Sequence, residues 1–274
     1  MKLSVSNVAW YNNRIEEFIR FVSGLGCRGI ELGPSMIWPE PVLAPVSERR
    51  ALKTMIADAG LDLAGIQALL YSRQDLFLFG DAAVREKMLE YLTGMMDLCG
   101  DLGGEVLVFG SPRNRKIGNL PQDKARAIAV GFFRELGIRA GKRGLYFCIE
   151  PLGRTETDFI NTVAEAFAFI QEAGNPEGLG LHIDTKGIID EREVDKPYLA
   201  DMFAIAKHVH ISEPDLRPVG TGSYNHRPIS RKIRSSGYNR FISIEMRRNE
   251  GAVEKTIAAS VKYVQDIYCK GELP

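Results

Sequence analysis

Histidine is scarce in this chain, with four residues among 274. That is too few for chemistry resting on several clustered metal ions caged by many imidazoles. Net charge is also missing: 35 Lys and Arg balance 35 Asp and Glu. No global basic field exists to draw in nucleic acid or an anionic membrane. No apolar run approaches the ~20 residues of a membrane span. The N-terminus, MKLSVSNVAW, has no long apolar stretch of the kind a secretory leader carries. The expectation is a cytoplasmic protein with neither nucleic-acid nor membrane partners. Cys27, Cys99, Cys148 and Cys269 are scattered without a CxxC spacing, which reads as reduced and mostly buried thiols. No low-complexity tract or linker interrupts the chain, so residues 1–274 read as one domain.

What is present is a recurring alternation. Strand-like runs fall at 3–7, 27–32, 61–69, 105–109, 145–150, 179–184, 208–212 and 241–245. Between them lie segments of helical periodicity at 12–24, 47–59, 82–102, 121–142, 161–173, 196–206, 226–236 and 252–269. Several of these stop at glycine, as in DAG at 58–60 and SSG at 235–237. Strands alternating with helices predict a parallel sheet with right-handed crossovers. Eight such units match an α/β single-domain (β/α)8 TIM barrel, typically ~250 residues long. A doubly wound open sheet is disfavoured because no Gly-rich phosphate fingerprint follows the first strand.

In such a barrel the chemistry sits at the C-terminal ends of the strands. Four strand-like runs end there in metal-binding residue types: LYFCIE in Glu150, LGLHID in Asp184, HVH in His210 and FISIE in Glu245. Residues i and i−2 share a face of a strand. Cys148, His182, His208 and Ser243 are therefore expected beneath those four, where a structural interior would favour Val, Ile or Leu. His182 and His208 read equally as second-layer groups orienting a metal shell or as ordinary core histidines. Three carboxylates and an imidazole suit Mn²⁺, Mg²⁺ or Co²⁺, with Zn²⁺ allowed. A cation polarising a carbonyl eases removal of the adjacent proton, and two glutamates facing it can act as base and acid.

The segments EPLGRTETDFINTVAEA (150–166), HIDTKG (182–187), HVHISEPDLRPVGTG (208–222) and ISIEM (242–246) resemble the motifs of xylose-isomerase-like TIM barrels. The nearest subgroup is the sugar phosphate isomerases and ketose 3-epimerases of the tagatose/psicose type. This resemblance implies that Glu150, Asp184, His210 and Glu245 are metal ligands, with manganese the first choice. It implies that Glu150 and Glu245 are the catalytic acid/base pair working through a metal-stabilised enediolate. Glu156 and Arg217 match substrate contacts of the family. It also implies a carbohydrate substrate and a homodimer or homotetramer. One departure stands out: the epimerases carry a histidine three residues after the aspartate ligand, and this chain has Gly187 there, preceded by Lys186. That departure keeps open a lyase on the same barrel, dehydrating a keto-inositol or dehydroshikimate-like compound. An AP-endonuclease-type phosphodiesterase is disfavoured by the shortage of histidine.

Further readings concern the loops at the same end. SPRNRK (111–116) reads as an anion clamp built on Arg113 and Arg115, or as a solvated basic loop. Glu31 and Gln67 are read as substrate or second-layer groups, and Lys186 as a donor to substrate. Trp10 reads as an aromatic wall for a sugar, and Trp38 as loop packing. KGIIDEREVDKP (186–197) reads as an exposed loop, His226 as a surface residue at a helix start, and Met95 and Met96 as core.

Overall fold

The computed structural model describes residues 1–270. Eight strands pair in parallel, each with the next: β1 (Lys2–Ser6), β2 (Gly29–Leu32), β3 (Asp62–Ile66), β4 (Val106–Phe109), β5 (Tyr146–Ile149), β6 (Leu179–Asp184), β7 (His208–Ile211) and β8 (Phe241–Ile244). Pairing of β1 with β8 closes the barrel. The predicted helices appear as α1 (Ile15–Gly24), α2 (Val46–Asp58), α3 (Ala82–Leu102), α4 (Gln122–Gly141) and α5 (Val163–Glu172), followed later in the chain by α7 (Leu199–Ile205), α8 (Arg227–Ser235) and α9 (Val253–Val264). A π-helical turn at Gln265–Cys269 extends α9. Local sequence explains several boundaries. Asp81 caps α3 through Val84 N, and Thr162 with Glu165 forms a capping box that starts α5.

One helix was not foreseen. Residues Thr185–Asp190 form α6 directly off the end of β6. Asp184 is its N-cap, its carboxylate accepting from Lys186 N at 3.1 Å. The segment read as an exposed loop is thus partly buried, with Thr185, Lys186, Gly187 and Ile188 inside. Mixed charge concealed it, because Lys186 is buried and pairs with Asp190 one turn along the helix.

Alternation along the strands divides the core in two. Outward residues such as Ile30, Phe109, Ile149, Ile183, Val209 and Ile244 pack against the helices in the main core. Among the inward residues, Val106, Val108 and Cys148 form a small separate apolar cluster with Tyr146. Elsewhere much of the interior is polar, including Ser4, Glu31, His182, His208 and Ser243. Register sets its levels: His182 pairs with His208, Asp184 with His210, and His210 with Ser243. Met95 and Met96 are core, as expected. All four cysteines are free, with Cys269 the exposed one.

Candidate metal centre and active site

The four strand-end residues converge. Candidate ligand atoms of Glu150, Asp184, His210 and Glu245 all lie within 4.8 Å of one another. His210 Nδ1 sits 3.2 Å from Glu245 Oε2. Two atoms each ~2.1 Å from one ion are that far apart at an angle of roughly 100°, an ordinary coordination angle. Nδ1 is fully buried and has no hydrogen-bond partner, and a bound cation would satisfy it.

The electrostatics point the same way. Burial, then the nearby Glu245 and Asp184 carboxylates, push Glu150 well above its ordinary range. Burial, then Glu245, raise Asp184 to about 6, although Ser212 Oγ donates to it. Three carboxylates crowded out of water repel one another, and a divalent cation removes that penalty. Burial pulls the His210 imidazole down, but Glu31 and Glu245 outweigh it and hold it well above its ordinary value. Metal uptake would therefore release a proton. The donor set and its orphaned nitrogen fit a divalent ion.

Two features hold the ligands in place. His210 Nε2 meets Glu31 Oε1 at 3.0 Å. An ionised carboxylate only accepts, so a hydrogen stays on Nε2, and the proton released on metal uptake is the one on Nδ1, freeing its lone pair on the side of the other carboxylates. Glu150 owes its position to space at Gly110: a Cβ there would lie 2.2 Å from Glu150 Oε2. Glycine after β4 lets the carboxylate occupy that space.

Glu31 and Gln67 are buried in the barrel interior, beside the candidate metal cluster. Glu31 is fully buried. Its carboxylate also accepts from Gln67 Nε2 at 3.2 Å and Ser243 Oγ at 2.9 Å. Gln67 Nε2 donates to Ser6 Oγ at 2.7 Å as well. Burial alone would raise Glu31, but the His210 and His208 imidazoles outweigh it and hold the carboxyl well below its ordinary range.

His208 Nε2 is 2.9 Å from Glu31 Oε1 but too far out of line to hydrogen-bond. His182 is fully buried, 3.8 Å from Glu150 Oε1 through Nε2, with no hydrogen-bond partner on either nitrogen. Burial, then the His210 and His208 rings, hold His182 far below its ordinary value, and it is neutral.

Several loop readings change. Arg115 is not half of an open anion clamp. It is buried, donating to Glu150 O at 2.7 Å and Ile160 O at 3.5 Å, so it braces the backbone that carries the ligand. Arg113 is exposed. Trp10 is not a sugar wall: it is 1% exposed, stacked on Phe21 at 5.2 Å and donating to Arg14 O at 3.1 Å. Trp38 is loop packing as expected, with Nε1 on Glu48 Oε2 at 2.7 Å. His226 is not on the surface. It is buried between Tyr268 Oη at 2.6 Å and Glu213 Oε1 at 3.2 Å.

Lys186 forms ion pairs with Glu156 and, at 3.2 Å, with Asp190. Burial pulls its pKa down, but the Glu156 bond and the surrounding carboxylates outweigh burial and it stays charged. Arg217 is largely exposed in the loop after β7, 3.5 Å from Asp215. Sequence reasoning overlooked Gly110 and Ser212. The glycine right after VLVF was a readable signal for the first, whereas Ser212 gave none.

The family profile described as xylose isomerase-like TIM barrel matches residues 19–267. Among characterised proteins, the chain is 30% identical over 147 residues to a ketose 3-epimerase of Arthrobacter globiformis, spanning 53% of this chain and 47% of that one. It is 22% identical to the 3-dehydro-D-guloside 4-epimerase of Escherichia coli K12 over 90% of this chain and 92% of that one. The chain spans only about half to two thirds of the first relatives it matches (47%, 63% and 65% of their lengths). Among solved structures, D-psicose 3-epimerase with D-tagatose from Clostridium cellulolyticum H10 superposes with TM-score 0.81, at 17% identity and over 98% of this chain and 99% of that one. The IOLI protein with a binding zinc atom gives 0.77 at 18%, over 98% and 99%. Closed parallel barrel, clustered strand-end carboxylates and imidazole, and a profile match over nearly the whole chain agree: the protein belongs to the xylose isomerase-like TIM barrel family.

Proposed function

We propose that this protein is a divalent-metal-dependent isomerase or epimerase of a ketose, a sugar phosphate or a related keto-polyol. The observation that carries the reading is Glu150 and Glu245 in one largely buried cluster with Asp184 and His210. Those four residues would hold the ion, which when bound polarises a carbonyl and stabilises charge developing on its oxygen. Glu150 and Glu245 enter from β5 and β8, on different sides of the barrel. One removes the proton beside the carbonyl and the other returns one to that carbon, giving an epimer, or to its neighbour, giving an isomer. Burial of Glu150, Asp184 and His210 limits the access of water, which would scramble the proton and weaken the interactions in the site.

Glu156 is the candidate partner for a substrate hydroxyl, held in place by Lys186. Arg217, and Arg113 for a phosphorylated substrate, are the candidate contacts at the rim. The names of the two epimerase relatives support the sugar assignment. Manganese is the proposed native ion, from the preponderance of carboxylate oxygen. Three buried free thiols favour a reducing cytoplasm. Among the described residues, no helix is long and apolar enough to cross a membrane. A homodimer or homotetramer is the proposed assembly. Exposed Leu43, Val46, Tyr71 and Phe77 in and beside the β2–α2 and β3–α3 loops offer apolar surface for it.

The test is deuterium exchange. Incubation with Mn²⁺ and a panel of ketoses in D₂O should label one substrate carbon, and Glu245→Gln should abolish the label. Exchange surviving in that variant would remove the acid/base assignment. Release of an unsaturated product with new ultraviolet absorbance would show a lyase instead, the reading that Gly187 keeps in play.

A further inference from the structure

His182 is the residue this function does not use. It is fully buried in the barrel interior, and both ring nitrogens lack a hydrogen-bond partner. Buried polar atoms are nearly always satisfied, so two orphans on one ring require an explanation. The ring packs edge-on against His210 with centroids 4.2 Å apart. Ligand atoms of Glu150, His182 and His210 form a second group lying within 4.8 Å of one another. His182 Nε2 and Glu150 Oε1, 3.8 Å apart, could share an ion ~2.1 Å from each at an angle of roughly 130°.

Resting on the metal-dependent function above, we infer that the site offers one ion two alternative positions. The outer one is held by Glu150, Asp184, His210 and Glu245, and an inner one by Glu150, His182 and His210. The two positions exclude each other. Glu150 and His210 belong to both, and His210 Nε2 is already committed to Glu31. Their chemistry differs. The outer position is dominated by carboxylate oxygen and suits Mn²⁺ or Mg²⁺. The inner one has two imidazoles and one carboxylate, the donor set that catalytic Zn²⁺ takes. His182 thereby sets which metal the protein retains, drawing zinc inward and away from Asp184 and Glu245.

The test is calorimetric titration of metal-free protein with Mn²⁺ and, separately, with Zn²⁺, using wild type and His182→Leu. Leucine has similar bulk, and the substitution breaks no hydrogen bond, because His182 makes none. Zinc affinity should fall by about tenfold to a hundredfold while manganese affinity stays within about threefold. Equal losses for the two metals, or no loss for either, would overturn the inference. X-ray absorption on zinc-loaded wild type gives an answer free of any variant: two imidazole nitrogens on zinc are expected, and one would overturn it. Wild type that binds Mn²⁺ and moves a substrate proton, yet shows one imidazole on zinc, leaves the proposed function standing without the inner position. Wild type that binds no divalent ion removes both.

Discussion

Replacing Glu31 with Gln tests whether the tautomer of His210 is imposed from below. The carboxylate presents one oxygen to His210 Nε2 at 3.0 Å and the other to Gln67 Nε2 at 3.2 Å and Ser243 Oγ at 2.9 Å. A glutamine has the same shape but only one accepting oxygen. If its NH₂ faces Gln67, two donors collide in a buried site, at a cost of about 1–3 kcal/mol. If it faces His210, the imidazole must accept at Nε2 and carry its hydrogen on Nδ1, the atom a cation needs. Disturbing such a partner costs about tenfold to a hundredfold in metal affinity, or ~1.4–2.8 kcal/mol. The second route raises the Kd for Mn²⁺ by that factor, and the first costs the metal-free protein ~1–3 kcal/mol of stability with the tautomer kept. At ~2–4 °C per kcal/mol for a chain of this size, Tm falls by about 2–12 °C. Titration calorimetry and thermal unfolding of the metal-free protein measure the two quantities. A folded Glu31→Gln protein that matches wild type in both Mn²⁺ affinity and metal-free stability would refute the reasoning.

Three other outcomes follow from the same geometry. Gly110→Ala would put a methyl 2.2 Å from Glu150 Oε2. The chain should fold but bind Mn²⁺ about tenfold to a hundredfold more weakly, and unchanged binding would show the carboxylate is not wedged there. Arg115→Met removes a buried guanidinium from the carbonyls of Glu150 and Ile160, for a loss of about 2–4 kcal/mol in urea unfolding. Arg113→Ala, on the exposed neighbour, should change stability by no more than ~0.5 kcal/mol. Glu213 supplies a pH dependence. Burial raises its carboxyl, but His226 outweighs burial and the net shift is downward. A carboxyl depressed in the folded state stabilises fully above its unfolded pKa of ~4.3 and loses that contribution as pH falls through the lower folded value. Wild type should therefore lose more stability than Glu213→Gln between about pH 5 and 3 in a urea series, and parallel profiles would dismiss the pair.

The metal cluster was legible because a strand's period of two and the rule that chemistry sits at the strand C-termini are both local in sequence. Glu150, Asp184, His210 and Glu245 each end a short apolar run, and each occupies that place in the folded barrel. The polar layer beneath them followed from the same parity. The loop residues were misjudged for the opposite reason. Arg115 and Arg113 share one basic run, yet one is buried against the backbone of β5 and the other is solvated. Trp10 could face a sugar or a helix, and α1 supplied Phe18 and Phe21 to cover it. His226 looked exposed because its partners, Glu213 and Tyr268, lie 13 and 42 positions away.

By itself the sequence determined the strand–helix order, the barrel it closes into, and the four clustered candidate ligands at one end. Those depend on hydrophobic period and on residue type at strand ends, which the chain writes locally. Only the tertiary structure decided which nitrogen of His210 is free, that Glu31 is fully buried against His210, Gln67 and Ser243, and that neither His182 nitrogen has a hydrogen-bond partner. Those facts depend on which side chains from distant strands share a level inside the closed barrel. That level is set by register around all eight strands.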